Sequence, residues 1–128
     1  MNVTNRLLIV DDQSEYAQFV TRVAESAGFE VVSTDRVDDF LVEYDRFGPT
    51  VLSIDLMMPD GGGITLLQDL ASRGCKAAIL IQSGLDARTL AWAETLGRES
   101  GLHLVGAIAK PVRAAVLRST LEGLKASG

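Results

Sequence analysis

Val51-Leu-Ser-Ile-Asp55-Leu-Met-Met-Pro59-Asp-Gly-Gly-Gly63 is the stretch on which the reading of this chain turns. Val51 to Ile54 is a mostly aliphatic run, the pattern of a strand buried on both faces of a parallel sheet. Pro59 and the glycines at 61 to 63 cannot continue that strand and demand a tight loop. Asp55 therefore stands at the carboxyl end of a central strand, where open α/β sheets place their ligand crevice. An aspartate in such a place can also serve only to cap the next helix. The other strand ends decide between the two.

Toward the amino terminus, Arg6 to Val10 reads as a first central strand tipped by Asp11 and Asp12. Tyr16, Phe19, Val20, Val23, Ala24 and Ala27 recur at helical spacing, and Gly28 closes that helix. Glu30 to Thr34 is a more polar strand, suited to an edge. Val37, Phe40, Leu41 and Tyr44 mark a second helix that Gly48-Pro49 stops. Beyond Asp55, Ile64, Leu67, Leu70 and Ala71 carry a third helix ending at Gly74. Ala77 to Ile81 is a fourth strand tipped by Gln82, Ser83 and Gly84, and a helix over about 86 to 99 follows. Leu102 to Ala109 is a fifth strand tipped by Lys110-Pro111, and Val112, Val116, Thr120, Leu121 and Leu124 mark a last helix. Strict strand–helix alternation implies a parallel sheet with right-handed crossovers and helices on both faces.

Bulk properties narrow the function classes. The 128 residues suit one domain, and 47% hydrophobic with 23% charged residues fits a globular fold. Leu7 to Val10 is too short for a signal peptide or a membrane span. The single cysteine, Cys75, excludes an internal disulfide and fits a reducing cytoplasm. A net charge of −5 without a basic stripe argues against direct nucleic-acid binding. The lone His103 starts a strand away from the acidic tips, and Asp38-Asp39 reads as helix stabilisation. Trp92 lies off the stripe Leu90, Ala93, Gly97, so it packs in the core or faces a partner.

If all strands are parallel, Asp11, Asp12, Asp55, Ser83 and Lys110 converge on one edge of the sheet. Clustered carboxylates repel unless a cation sits among them, and oxygen ligands of this kind suit Mg²⁺ rather than zinc. A lysine adds fixed positive charge and a serine adds a hydroxyl donor. That set fits phosphoryl transfer onto a carboxylate nucleophile.

Taken together these motifs resemble the response-regulator receiver domain of two-component signalling, over Leu7 to Leu124. The family pattern is an acidic pair after strand one, a phospho-accepting Asp after strand three, Ser/Thr after strand four and Lys-Pro after strand five. Met58-Pro59-Asp60-Gly61-Gly62-Gly63 also resembles its loop after the phosphoacceptor. The resemblance implies a flavodoxin-like (βα)5 doubly wound sheet of order 2-1-3-4-5, with residues 1–128 forming a single receiver domain. It implies that Asp55 accepts the phosphoryl group, that Asp12, Asp55 and the Met57 carbonyl bind Mg²⁺ directly, and that Asp11 acts largely through water. Ser83 and Lys110 would bind phosphoryl oxygens. The domain would catalyse only its own phosphorylation and dephosphorylation. A sensor histidine kinase or phosphotransfer protein is the implied donor, with an output domain, effector protein or homodimer as candidate receivers of the signal, and no membrane.

Two departures stand out. Ala107 occupies the place, three before the lysine, where the family usually carries Tyr or Phe. The interval from Ser83 to Lys110 is about five residues longer than in most receivers, with the excess in or just after the fourth helix. A long fourth helix followed by Gly-Leu-His-Leu-Val-Gly resembles receivers fused to cyclic-di-GMP phosphodiesterase modules. With no aromatic at 107, the segment Gly84-Leu85-Asp86 and the fourth helix are expected to move instead. Two rivals stay open: a phosphorylation-independent docking module, and a small-molecule phosphatase with an Asp nucleophile. The phosphatase would usually carry a second acid where Met57 stands.

Overall fold

Leu7 and Ile9 turn to one face of the sheet and Leu8 and Val10 to the other, and all four are buried. This period of two, apolar on both faces, makes the first strand a central one. In the computed structural model, which describes residues 4–58, 62–84 and 87–125, the chain runs β1 (Arg6–Val10), α1 (Ser14–Ser26), β2 (Glu30–Thr34), α2 (Val37–Phe47) and β3 (Val51–Asp55). It continues through α3 (Gly62–Ser72), β4 (Ala78–Ser83), α4 (Ala87–Glu99), β5 (His103–Ala109) and α5 (Ala114–Gly123). The five strands pair in parallel in the order β2-β1-β3-β4-β5. That is the doubly wound, flavodoxin-like arrangement expected from the sequence, with the polar β2 at an edge.

Two cores sandwich the sheet. On one face α1 contributes Ala17, Val20, Val23 and Ala24 and α5 contributes Leu117 and Leu121, against Leu7, Ile9, Val51 and Leu80. On the other, Phe40 of α2, Leu66, Leu67 and Leu70 of α3, and Leu90 and Ala93 of α4 cover Leu8, Leu52, Ile54, Ile79 and Ile81. Gly48 ends α2 at φ 65°, a left-handed geometry that glycine adopts without strain.

Details differ from the sequence reading. β4 extends through Gln82 and Ser83, because the ladder to β3 and β5 continues past the aliphatic run to Asp55↔Gln82 and Ser83↔Ala109. The buried stripe of α5 is Leu117 and Leu121, whereas Val116 is exposed, so the helix is turned from the expected face. Trp92 is 56% exposed on α4, while Leu90, Ala93 and Gly97 face inward. β5 carries an irregularity: Ile79 pairs with Leu104 but Leu80 with Gly106, leaving Val105 as an extra residue. Such a bulge resets the register of everything after it, including the approach to Lys110.

The start of α3 lies against the end of β3 in a close backbone approach. A Cβ on Gly63 would lie 2.6 Å from the Leu56 Cα and 3.1 Å from the Asp55 carbonyl oxygen. Backbone cannot swing aside as a side chain does, so Gly63→Ala should cost about 1–3 kcal/mol. Gly123→Ala, with nothing within 4 Å of the added carbon, should be neutral or slightly stabilising. Thermal melts of the two variants check this, and equal melting temperatures would contradict the packing assigned to Gly63.

Candidate functional site

β1 stops at Val10, but the Asp11 N–H still donates to the Thr34 carbonyl at 3.0 Å, carrying the ladder one residue further. This fixes Asp11 at the sheet edge, 4% exposed, and turns Asp12 outward. Asp55 ends β3 at 2% exposure. One oxygen from each of Asp11, Asp12 and Asp55 lies within 4.8 Å of the others. Across the sheet, the Lys110 N–H donates to the Ser83 carbonyl at 2.9 Å, so the lysine leaves β5 directly beside the end of β4. Its Nζ reaches back to Asp11 Oδ2 at 2.7 Å and Asp55 Oδ2 at 3.4 Å, and donates to Gln13 Oε1 at 3.0 Å.

The remaining carboxylate oxygens meet backbone. Asp11 Oδ1 accepts the Gln13 N–H at 2.8 Å and Asp55 Oδ1 accepts the Met57 N–H at 2.9 Å. Each aspartate thus folds over its own loop in an Asx-type turn. The second turn places the Met57 backbone next to the cluster while its side chain, 54% exposed, points away. Ser83 is fully buried at the end of β4.

Charge dominates this pocket. Two carboxylates about 5 Å apart repel by roughly 3 kcal/mol at an effective dielectric of 20. Lys110 offsets part of this, yet three carboxylates against one ammonium leave an excess of two negative charges. Burial pushes the Asp55 carboxyl above its ordinary range. The Met57 amide and the Lys110 ammonium pull it back, and Asp11 pushes it up again. A small divalent cation matches both the excess charge and the hard oxygen donors. The residues present therefore fit Mg²⁺.

The sheet brings Asp11, Asp12, Asp55 and Lys110 into one pocket and ties Ser83 to it through the backbone. Pro59, Asp60 and Gly61 of the loop after β3, and Leu85 and Asp86 after β4, lie outside the described residues. His103 is exposed at the start of β5, and Cys75 is buried.

Sequence reasoning missed four residues. Gln13 accepts a hydrogen bond from Lys110, and the Lys110 Nζ sits 4.5 Å from the centroid of the Tyr16 ring. The Tyr16 hydroxyl donates to Gln82 Oε1, and Gln82 Nε2 donates to Ser53 Oγ at 2.6 Å. A signal was available. Ser53 and Gln82 are polar residues inside strands buried on both faces, and buried polar groups require partners. Tyr16 gave no comparable sign, since it falls on the apolar stripe of α1. Its hydroxyl is pushed up to about 12, by burial first and then by Asp11 and Asp55.

Comparison with known proteins agrees with this geometry. The response regulator receiver domain model matches residues 7–122. The chain is 28% identical over 89 residues to the chemotaxis protein CheY of Bacillus subtilis, a match covering 69% of this chain and 74% of that protein. It is 30% identical over 63 residues to the transcriptional regulatory protein TrcR of Mycobacterium tuberculosis, but that match takes in 49% of this chain and only 24% of TrcR. A crystal structure of a response regulator from Colwellia psychrerythraea superposes with a TM-score of 0.82 at 29% identity, covering 95% of this chain and 97% of that one. The nearer likeness to receivers of cyclic-di-GMP phosphodiesterases finds no support in these matches. A phospho-accepting domain rather than a true enzyme is what the pocket and the matches describe, and the chain belongs to the response regulator receiver domain family.

Proposed function

We propose that residues 1–128 form a single receiver domain that takes a phosphoryl group onto Asp55, with Mg²⁺ held by Asp12, Asp55 and the Met57 carbonyl and approached by Asp11 through water. The observation that carries this reading is the convergence of three carboxylates and Lys110 at one sheet edge. The engagement of both Asp11 oxygens, one by Lys110 and one by the Gln13 N–H, supports an outer role for Asp11. Bound there, the cation supplies positive charge where the phosphoryl oxygens gather. A carboxylate oxygen of Asp55 attacks phosphorus, the bond from phosphorus to the donor nitrogen or oxygen breaks, and an acyl phosphate remains. Lys110 and Ser83 bind phosphoryl oxygens, and attack by water later returns the carboxylate and inorganic phosphate.

The donor in this reading is a sensor histidine kinase or phosphotransfer protein, and the setting is the cytoplasm. Among the described residues no helix is long and apolar enough to cross a membrane. The exposed Trp92 on α4 and Val116 on α5 are candidate contacts for an output domain, an effector or a second copy. Ala107, half-buried on β5 against the α4 side of the core, favours a second reading, a docking module that needs no phosphate. The phosphatase alternative loses ground at Met57, whose side chain offers no acid.

Incubation with acetyl phosphate and Mg²⁺ separates these readings. Intact mass should rise by one phosphoryl group, and excess chelator should remove the gain. No gain under any condition favours the docking module. A gain that survives chelation takes Mg²⁺ out of the mechanism.

A further inference from the structure

Lys110 reaches its pocket on a long, flexible stem, and such a side chain holds a fixed position only where its surroundings restrict it. Asp11, Gln13 and Asp55 receive its ammonium on one side. On another lies the face of the Tyr16 ring, 4.5 Å from Nζ to centroid, within the range of cation–π attraction. The ring is itself held from behind. Its hydroxyl donates to Gln82, and Gln82 donates to Ser53, which is 4% exposed while Gln82 is 1% exposed. This chain crosses the face of the sheet that α1 and α5 cover, where Val51, Ala78 and Leu80 of the same strands are apolar. Three apolar side chains could fill the space as well, since a paired buried hydrogen bond gains little over an apolar replacement. What the polar chain adds is direction. It anchors the ring's outer end, so that the face rather than the edge meets the ammonium.

We propose that Tyr16, anchored by Gln82 and Ser53, is a positioning residue that holds Lys110 for its contact with the phosphoryl group on Asp55. The inference rests on the phospho-accepting reading above. Lys110 lies nearer Asp11 than Asp55, so binding a phosphoryl oxygen requires its ammonium to turn from one carboxylate toward the other. The Tyr16 face supports it in both positions without competing as a hydrogen-bond acceptor. A tyrosine hydroxyl is protonated at neutral pH, so it donates to Gln82 throughout that range.

The test pairs a rate with a spectrum. Tyr16→Leu should slow labelling by acetyl phosphate roughly five- to tenfold, the loss expected for one cation–π contact. Tyr16→Phe keeps the ring but loses the hydroxyl that Gln82 anchors, and should slow labelling by an intermediate factor of about two to three. In a Lys110→Met background Tyr16→Leu should have no further effect, because its action runs through the ammonium. Equal slowing in both backgrounds, or no slowing in either, would overturn the proposal. Independently of labelling, the Lys110 Hε resonances of the metal-free protein should be shifted upfield by the ring, and the shift should shrink in Tyr16→Phe, whose ring is no longer anchored by Gln82. Ordinary lysine positions in the wild type would overturn the proposal even if Tyr16→Leu failed to fold. A wild type that shows the ring shift but never labels would instead sink the phospho-accepting reading.

Discussion

Asp55→Asn is expected to bring phosphoryl uptake below detection while leaving the domain folded. The amide is isosteric and can still accept the Met57 N–H, so the Asx-type turn after β3 survives. Lys110 keeps its 2.7 Å partner in Asp11. What disappears is the nucleophilic oxygen and, with it, a buried charge. Burial, with the neighbouring Asp11 charge, raises the Asp55 carboxyl above its ordinary 3.8 despite the opposing Met57 amide and Lys110 ammonium. The folded state therefore binds more protons than the unfolded chain across the interval between the two values. Stability falls as pH climbs through that interval and stays lower above it. Asparagine has no such ionisation. Without metal, the variant should melt above wild type at neutral pH, and the gap should close as pH falls below the ordinary carboxylate range. Intact mass after acetyl phosphate treatment and melts across pH check both halves. Undiminished labelling would move the nucleophile elsewhere, and parallel melting curves would remove the burial penalty.

Asp12→Ala should remove most of the protein's response to Mg²⁺. Asp12 is the exposed member of the acidic cluster, so its loss leaves both cores untouched. Cation binding to the folded state alone stabilises by mass action, about 2.7 kcal/mol at a hundredfold excess over Kd. For a domain of this size that is a rise of roughly 10 °C in Tm. The variant should show little of that rise, and at subsaturating Mg²⁺ its labelling should slow at least about tenfold, the scale seen even for groups that only support a ligand. Titration of Tm against Mg²⁺ in both proteins checks the claim. An equal rise in the variant would place the cation somewhere else.

The central strands were legible because a sheet covered on both faces writes continuous aliphatic runs, as in Leu7 to Val10 and Ile79 to Ile81. Their tips were legible because each run breaks at a residue no core would hold alone. The end of β4 was not, since Gln82 and Ser83 look like loop residues until their ladder partners are known. The irregularity at Val105 left no mark, because Leu104, Val105 and Gly106 suit a regular strand equally well. The face of α5 was misjudged in favour of Val116, and only packing against α1 and the sheet selects Leu117 and Leu121. At the site, the acidic cluster and Lys110 were read from residue type and position. Gln13 and Tyr16 were not, because their roles depend on where the Lys110 side chain turns.

The measurement that bears most directly on the account is location of the phosphoryl group. Wild-type protein treated with acetyl phosphate and Mg²⁺ can be trapped with borohydride, which reduces an aspartyl phosphate to homoserine, and mapped by tandem mass spectrometry. Conversion at Asp55 alone, lost in excess chelator, is the expected result. Conversion at Asp11 or Asp12, a phosphate ester on Ser83, or no modification at all would contradict it.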